Sequence, residues 1–307
     1  MYFVVVAVNV GIFAILALSL NIITGYAGQS ALGHAAFFGI GAYASALMTS
    51  TLGVNFWISL PITFIITGII GAILGFISIR LKDDFLAITS IGINFVVVAI
   101  FQYSPIFGAS LGMTVEKATL FGAKMGPSEY LILVMILIVL TCLFISKMNK
   151  SWFGLALASI RNDEMAASSF GINVNKYKVL TFTLGTAIAG MTGAVYAHYM
   201  SFIYSSDFAF VVSISILSMV VIGGIGTIRG PILGAILLGV APELFRFFAD
   251  YRMIVYGALL VVMMRFQPQG LLGENSIIMK SINKIFLNVF GKNEKKGGEA
   301  DAGNVEG

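Results

Sequence analysis

The side chains able to do chemistry are few, and they stand far apart. His34 and His198 are the only histidines, and Cys142 is the only cysteine. With one cysteine the chain can form no internal disulfide and no cysteine metal cluster, and Cys142 reads as a small buried hydrophobe. No Ser-His-Asp set, paired carboxylates or His/Cys metal spacing can be assembled. No GxxxxGK[ST] phosphate loop occurs either, so the chain carries no nucleotide site of that type. His34 reads as a hydrogen-bonded packing residue rather than a proton carrier. Glu243 and Arg246, three residues apart beside the kinking Pro242, read as an ion pair. These residue types favour neither a hydrolase nor a metalloenzyme. An ion-driven pump would need titratable groups inside its spans, and the central spans are nearly bare of them.

The chemistry that does stand out is a polar stretch, KMNKSWFGLALASIRNDEMAASSFGINVNKYK, over Lys147–Lys178. It carries Lys147, Lys150, Arg161, Lys176 and Lys178. Its middle predicts a short helix. Asn162 is the expected cap, with Asp163 and Glu164 in the first turn, where carboxylates suit the positive end of the dipole. Met165, Ala166, Ala167, Ser168, Ser169 and Phe170 continue it, and Gly171 ends it in the left-handed conformation. A capped helix held between membrane spans is suited to touching a partner at the membrane surface.

Stepping outward, the chain is 58% apolar and 10% charged, where soluble domains carry about a quarter charged residues. Residues 1–79 contain no Asp, Glu, Lys or Arg. That run far exceeds the roughly 20 residues that cross a bilayer, so it must fold back on itself. The expected fold is all-α, a polytopic transmembrane bundle of about nine spans. They fall near 2–22, 32–50, 57–79, 85–104, 129–146, 179–200, 208–224, 231–248 and 253–267. The first run lacks a basic leader and reads as a retained span. Residues 1–273 form the membrane domain, and 274–307 a polar tail expected to be disordered from Gly291. The basic residues cluster at span ends, so the net charge of +4 does not signal nucleic-acid binding. By the positive-inside rule the 147–178 segment, the tail and the Arg80–Asp84 turn face the cytoplasm, and the N-terminus faces out.

Between the first two spans, Thr24–His34 holds Gly25, Gly28 and Gly33 with Gln29, Ser30 and His34. It reads either as a tight turn or as a broken segment bordering a wet path. Pro105–Ser128 is expected to be a solvated external loop. Gly185, Ala189, Gly193 and Ala197 recur every four residues and give a flat face for close helix packing. Gly223–Pro231 is a second glycine-rich stretch. Composition and spacing therefore point to a transport subunit driven from outside its own sequence.

The sequence also resembles a family, the LivM-type permeases of branched-chain amino-acid ABC transporters. Leu18-Ser19-Leu20-Asn21, Gly25–Gln29 and Gly33–Tyr43 resemble its N-terminal signature, and Ala158–Ile172 its cytoplasmic coupling segment. Ala189–Ala194, Gly223–Pro231, Pro242-Glu243-Leu244 and Pro268–Gly273 resemble the rest. The resemblance runs from about Leu16 to Gly273. It implies a membrane subunit paired with a LivH-type permease or with itself. It also implies two cytoplasmic ATPase subunits that bind ATP and Mg, and an extracytoplasmic binding protein that delivers the solute. This chain itself is expected to be no enzyme and to hold no cofactor. The resemblance carries the coupling role onto Arg161, Asn162, Glu164, Ala166, Ala167 and Gly171, with Asp163 among them, and allows a salt bridge from Arg161 or Glu164 to the ATPase. It implies a cell-membrane location and inward movement of leucine, isoleucine or valine. The path would be lined by Asn21, Tyr26, Gln29, Ser30 and Asn94, with His34 beside them. The chain departs from the family at Phe107–Gly112 and at Asn94-Phe95, which leaves urea, a short amide or a sugar as alternative solutes. A secondary transporter is the rival of a different class, and a membrane-embedded enzyme a third.

Overall fold

The structure, a computed structural model, describes residues 1–78, 83–120, 122–244, 265 and 271. The chain folds mainly as helices. They are α1 (Tyr2–Asn21), α2 (His34–Ser50), α3 (Phe56–Ser78), α4 (Asp83–Tyr103), α5 (Pro127–Asn149), α6 (Trp152–Asn162), α7 (Glu164–Ser169), α8 (Val174–Met200), α9 (Phe210–Gly223) and α10 (Arg229–Leu244). Six described helical segments are long and apolar enough to cross a membrane: Tyr2–Tyr26, Phe56–Ile77, Phe85–Tyr103, Pro127–Asn149, Val174–Met200 and Ser205–Gly223. The chain is therefore a multi-pass membrane protein. The expected count of nine spans is not reached among the described residues. The position expected to hold the second span is the 17-residue helix α2, and the eighth is helical as far as it is described, over Arg229–Leu244. The ninth expected span at 253–267, the Arg80 and Lys82 turn, Arg246 and the tail lie outside the described residues.

Helix α8 is the centre of the bundle. It packs along α2 and α3 and crosses α1. Apolar burial drives little helix association in lipid, so close approach through small residues must do it. The expected stripe does this on one side. A side chain at Gly185 would meet Ile23 and the Ser19 carbonyl, and one at Gly193 would meet the Phe38 carbonyl and the Ala42 amide. Ala189 and Ala197 are fully buried. A second face of α8, unremarked in the sequence, meets α3. There Gly68, Gly71 and Gly75 lie against Ala187, Thr186 and Phe182, and Gly190 lies against Thr67. The α8 threonines can be buried because their hydroxyls bond to carbonyls one turn back, Thr181 to Tyr177 at 2.7 Å and Thr192 to Ile188 at 2.8 Å.

The segment after α4 corrects the expectation of a solvated loop. Met113–Thr114 forms β1, and Thr119–Leu120 (β2) pairs with Ala123–Lys124 (β3). β1 pairs antiparallel with Phe202–Ile203 (β4), beyond the end of α8. Val115, Ala118 and Met125 are buried. His198 holds this lid in place. Its Nδ1 donates to the Glu116 carbonyl at 2.6 Å, which leaves Nε2 to accept from the Ser45 hydroxyl at 3.1 Å. Tyr130 Oη donates to the His198 carbonyl at 3.0 Å and accepts from the Ala118 amide at 3.0 Å. The loop folds because its polar backbone has these partners to meet.

Gly193→Val forces a methyl group into the α2 backbone, an overpacking that typically costs about 1–3 kcal/mol. We expect a lowered melting temperature in detergent. Gly92→Ala on α4, where an added Cβ meets nothing within 4 Å, should leave it unchanged or raise it slightly.

Candidate functional site at the α6–α7 end of the bundle

Four segments from three distant stretches of the chain converge at the end of the bundle that carries α6 and α7. The first is the break between α1 and α2. α1 runs into a wide π-helical turn over Ile22–Tyr26, and residues 27–33 follow without helical structure. π-turns inside helices recur at functional sites. Ala27, Gln29 and Ala31 are buried, so this is a broken segment inside the protein and not a surface turn. Its polar groups pair with other parts of the chain. Gln29 Nε2 donates to the Lys178 carbonyl at 2.9 Å, and the Leu32 amide donates to Ser90 Oγ at 2.9 Å.

The second segment is the glycine-rich turn between α9 and α10. Asn21, fully buried, clamps it with both ends of its amide. Nδ2 donates to the Thr227 carbonyl at 2.8 Å, and Oδ1 accepts from the Gly226 amide at 2.8 Å. Within the turn, Thr227 Oγ1 donates to the Gly224 carbonyl and accepts from the Gly230 amide, both at 3.0 Å.

The third and fourth segments are α6–α7 and the start of α8. α6 was not foreseen as a separate helix. It buries Ala156, Leu157 and Ile160. The capping assignment is corrected by one residue. Asn162 ends α6, and Asp163, with extended backbone, caps α7, its Oδ1 accepting from the amides of Met165 at 2.8 Å and Ala166 at 3.0 Å. The break in the backbone falls at Asp163, so its carboxylate is the group that faces the free amides. At the other end Gly171 has φ +83°, as the sequence predicts. The Ile172 amide bonds to the Ala167 carbonyl at 3.1 Å and the Gly171 amide to Ser168 at 2.9 Å, the paired closure of a Schellman motif.

Arg161 and Glu164 bind within the chain. The Arg161 side chain lies over Gly28 and Gly226, both with positive φ (+71° and +81°). A side chain at Gly226 would collide with the guanidinium, so the two turns must stay bare for Arg161 to lie there. Glu164 forms an ion pair with Lys178, which ties the first turn of α7 to α8. The apolar residues of this region remain outside: Met165 is 83% exposed and Phe170 87%, while Ala167 is buried beneath them. Ala166 is exposed on the same helix.

The residues expected to line a path divide into groups. Asn21, Tyr26, Gln29 and Ser30 belong to the junction just described. His34 sits at the start of α2 and Asn94 on α4, both buried. His34 Nε2 lies 2.7 Å from Ser19 Oγ, and that hydroxyl is 2.8 Å from the Leu16 carbonyl. If the hydroxyl proton goes to the carbonyl, Nε2 carries the ring proton and Nδ1 is a bare acceptor. Nδ1 has no hydrogen-bond partner among the described residues. Asn94 Nδ2 donates to the Phe208 carbonyl at 3.2 Å, and its Oδ1 likewise has none. Among the described residues no group of three or more His, Cys, Asp and Glu could hold a metal ion. The Glu243 side chain lies outside the described residues, so the expected pair with Arg246 is not described. His198, the sequence's second histidine, is structural and lies at the opposite end.

A multi-pass helical protein with a broken, polar-lined first connection and a capped helix at one end of its bundle has the build of a membrane permease. The family model described as branched-chain amino acid transport system / permease component matches residues 2–264, and the chain belongs to that family. It is similar to the high-affinity branched-chain amino acid transport system permease protein LivM of Escherichia coli (strain K12), 36% identical over 287 residues, 85% of this chain and 68% of that protein. LivM of Salmonella typhimurium is 35% identical over the same shares. LivH of Salmonella typhimurium is 31% identical over 129 residues, 41% of this chain and 42% of that protein. No solved structure matches the chain.

Asn21→Leu strips the Gly226 amide and the Thr227 carbonyl of their partner. Each buried polar group left unpaired costs about 1–3 kcal/mol. Asp163→Ala removes the α7 cap, worth about 0.5–2 kcal/mol. Hydrogen exchange should separate them. Asp163→Ala should speed exchange at Met165 and Ala166 alone, whereas Asn21→Leu should also lower the melting temperature of the whole protein.

Proposed function

We propose that this chain is one membrane subunit of an ATP-driven importer of branched-chain amino acids. An extracytoplasmic binding protein delivers leucine, isoleucine or valine, and a second permease subunit, LivH-like or another copy, completes the channel. Two ATPase subunits hold the ATP and Mg and dock on the cytoplasmic face. The observation that carries this reading is the family match over residues 2–264, joined to a capped helix whose Met165 and Phe170 stand clear of the bundle.

In this mechanism α7 sits in a groove of the ATPase through its apolar outer face. Movement of α7 passes to α8 through the Glu164–Lys178 pair and to the two glycine turns through Arg161. Those turns border the α1–α2 break and the start of α10. A shift of the ATPase thus reaches the one place where α1 is already unwound. The solute path runs along α2, α4 and α9, past His34 Nδ1 and Asn94 Oδ1, because buried polar atoms without a protein partner are suited to meeting water or solute. The α7 end is cytoplasmic, as the positive-inside rule requires of the Lys147–Lys178 segment.

Two sets of variants separate docking from transmission. Phe170→Glu with Met165→Glu should lose the ATPase in a mild-detergent pull-down. Arg161→Ala should retain it and yet lower ATP-driven leucine uptake by tenfold or more in proteoliposomes carrying the assembled complex. Isoleucine and valine should compete for uptake, and urea and sugars should not. Uptake by this chain alone, driven by an ion gradient, would overturn the assignment.

A further inference from the structure

The turn from α5 into α6 carries charge and apolar surface that neither the packing nor the transport reading uses. α5 is only 33% buried within the protein. Ile132, Ile136, Leu140 and Leu143 are exposed along it, three or four residues apart, so they share the side turned away from the bundle. Lys147, also exposed, is the next residue on that side. The charged residues of the helix are Glu129 in its first turn and Lys147 in its last. Their spacing in the helix is a rise of roughly 27 Å, against a hydrocarbon layer of roughly 30 Å. Lys147 therefore stands where hydrocarbon gives way to headgroups.

The chain folds back at that level. Only Lys150 and Ser151 separate α5 from α6. The Ser151 amide and hydroxyl both bond to the Met148 carbonyl, at 3.1 and 2.6 Å. A Cβ at Gly154 would stand 2.6 Å from the Asn149 Cα and from the Met148 carbonyl oxygen, so the first turn of α6 is held against the last turn of α5. α6 buries Ala156, Leu157 and Ile160 and turns Trp152 and Leu155 outward, 86% and 61% exposed. Two large apolar side chains one turn apart thus stand at the membrane surface. An indole suits that layer, with its ring against acyl chains and its N–H among polar groups. Lys147 and Lys150 lie beside them, both exposed and without an ion pair among the described residues. The next carboxylates along the chain are engaged elsewhere: Asp163 caps α7, and Glu164 pairs with Lys178.

This combination selects a partner by charge. Trp152 and Leu155 alone would suit any phospholipid. Two ammonium groups at the hydrocarbon boundary, with no counter-ion from the chain, call for a headgroup of net negative charge, since a zwitterionic one brings its own cation. A soluble protein approaches from beyond the headgroups, where Met165 and Phe170 stand clear. We propose that Lys147, Lys150, Trp152 and Leu155 form a binding site for an anionic phospholipid of the leaflet on the α6–α7 side. The lysines meet its phosphate, and Trp152 and Leu155 insert beside its glycerol and upper acyl chain. The bound lipid pins the α5–α6 turn to the membrane surface. The site depends only on the chain's membrane location and stands whether or not the solute assignment holds.

Trp57 and Trp152 are the only tryptophans, so Trp57→Phe leaves Trp152 as the sole tryptophan. The full chain is reconstituted in vesicles of phosphatidylcholine with phosphatidylglycerol as the minor component. Bromine, a short-range quencher, is carried on the acyl chains of one lipid or of an equal amount of the other, at fixed overall composition. Half-maximal quenching should need about fivefold less brominated phosphatidylglycerol than brominated phosphatidylcholine, the factor that one lysine near an anionic surface supplies. Lys147→Gln with Lys150→Gln should bring the two lipids level, whereas Lys147→Arg with Lys150→Arg should keep them apart. Equal quenching by the two lipids before the lysines are changed would overturn the anionic site. So would a preference that survives the double glutamine change. Quenching by neither lipid would overturn the placement of Trp152 in the leaflet. A benzophenone amino acid in place of Leu155, irradiated in the assembled complex, should cross-link to phospholipid. A cross-link to a protein subunit instead would overturn the lipid assignment.

Discussion

Backbone polar groups inside a membrane protein must be satisfied by the protein itself, and the break between α1 and α2 is where this structure meets that requirement. Helix α1 gives up its regular ladder at Ile22, in a segment otherwise apolar enough to span. Lipid can satisfy none of the groups this frees. Ser90 takes the Leu32 amide and the Ile23 carbonyl takes the Gln29 amide, while the Asn21 and Gln29 side chains bond backbone groups of neighbouring segments. Through Asn21 the break holds the α9–α10 turn, and through Gln29 it holds the start of α8. Much of the remaining architecture at this end follows from who answers those hydrogen bonds.

The same junction makes a mechanical arrangement intelligible. Arg161 lies over two bare glycine turns, and Glu164 is paired with Lys178. An ion pair this exposed contributes little stability, so its value lies in position: it fixes α7 relative to α8. Arg161 and Glu164 thus bind the chain's own turns and helix, and the apolar side chains of Met165 and Phe170 stand outside. The small helix α7 is closed at both ends, by Asp163 and by Gly171, which limits its fraying.

The opposite end is built on another logic. His198 reads in sequence as an isolated histidine late in a span, and nothing near it in the chain hints at a role. In the fold it joins α8, α2 and the lid after α4, because the carbonyl of Glu116 and the hydroxyl of Ser45 arrive from 82 and 153 residues away. The lid's two-residue strands carry no sequence pattern, since two residues give no alternation to detect. β1 forms because β4 follows the end of α8 and offers an edge, and β2 and β3 pair with each other.

Features that depend on local composition are legible along the chain. Uncharged apolar runs specify membrane helices, since lipid admits little else, and the helices lie close to where those runs predict. The four-residue spacing of small side chains specifies a packing face on α8, and Gly171 specifies the end of α7, because only glycine enters the left-handed region cheaply. Tertiary structure decided what depends on partners. It placed the cap at Asp163 rather than Asn162, since the backbone breaks where α6 stops packing. It made Asn21 a clamp, because the α9–α10 turn comes to rest beside it. It began α2 at His34, because residues 27–33 stay in the buried break. A chain can write its own periodicity, but not the identity of the group that will lie opposite once the helices have met.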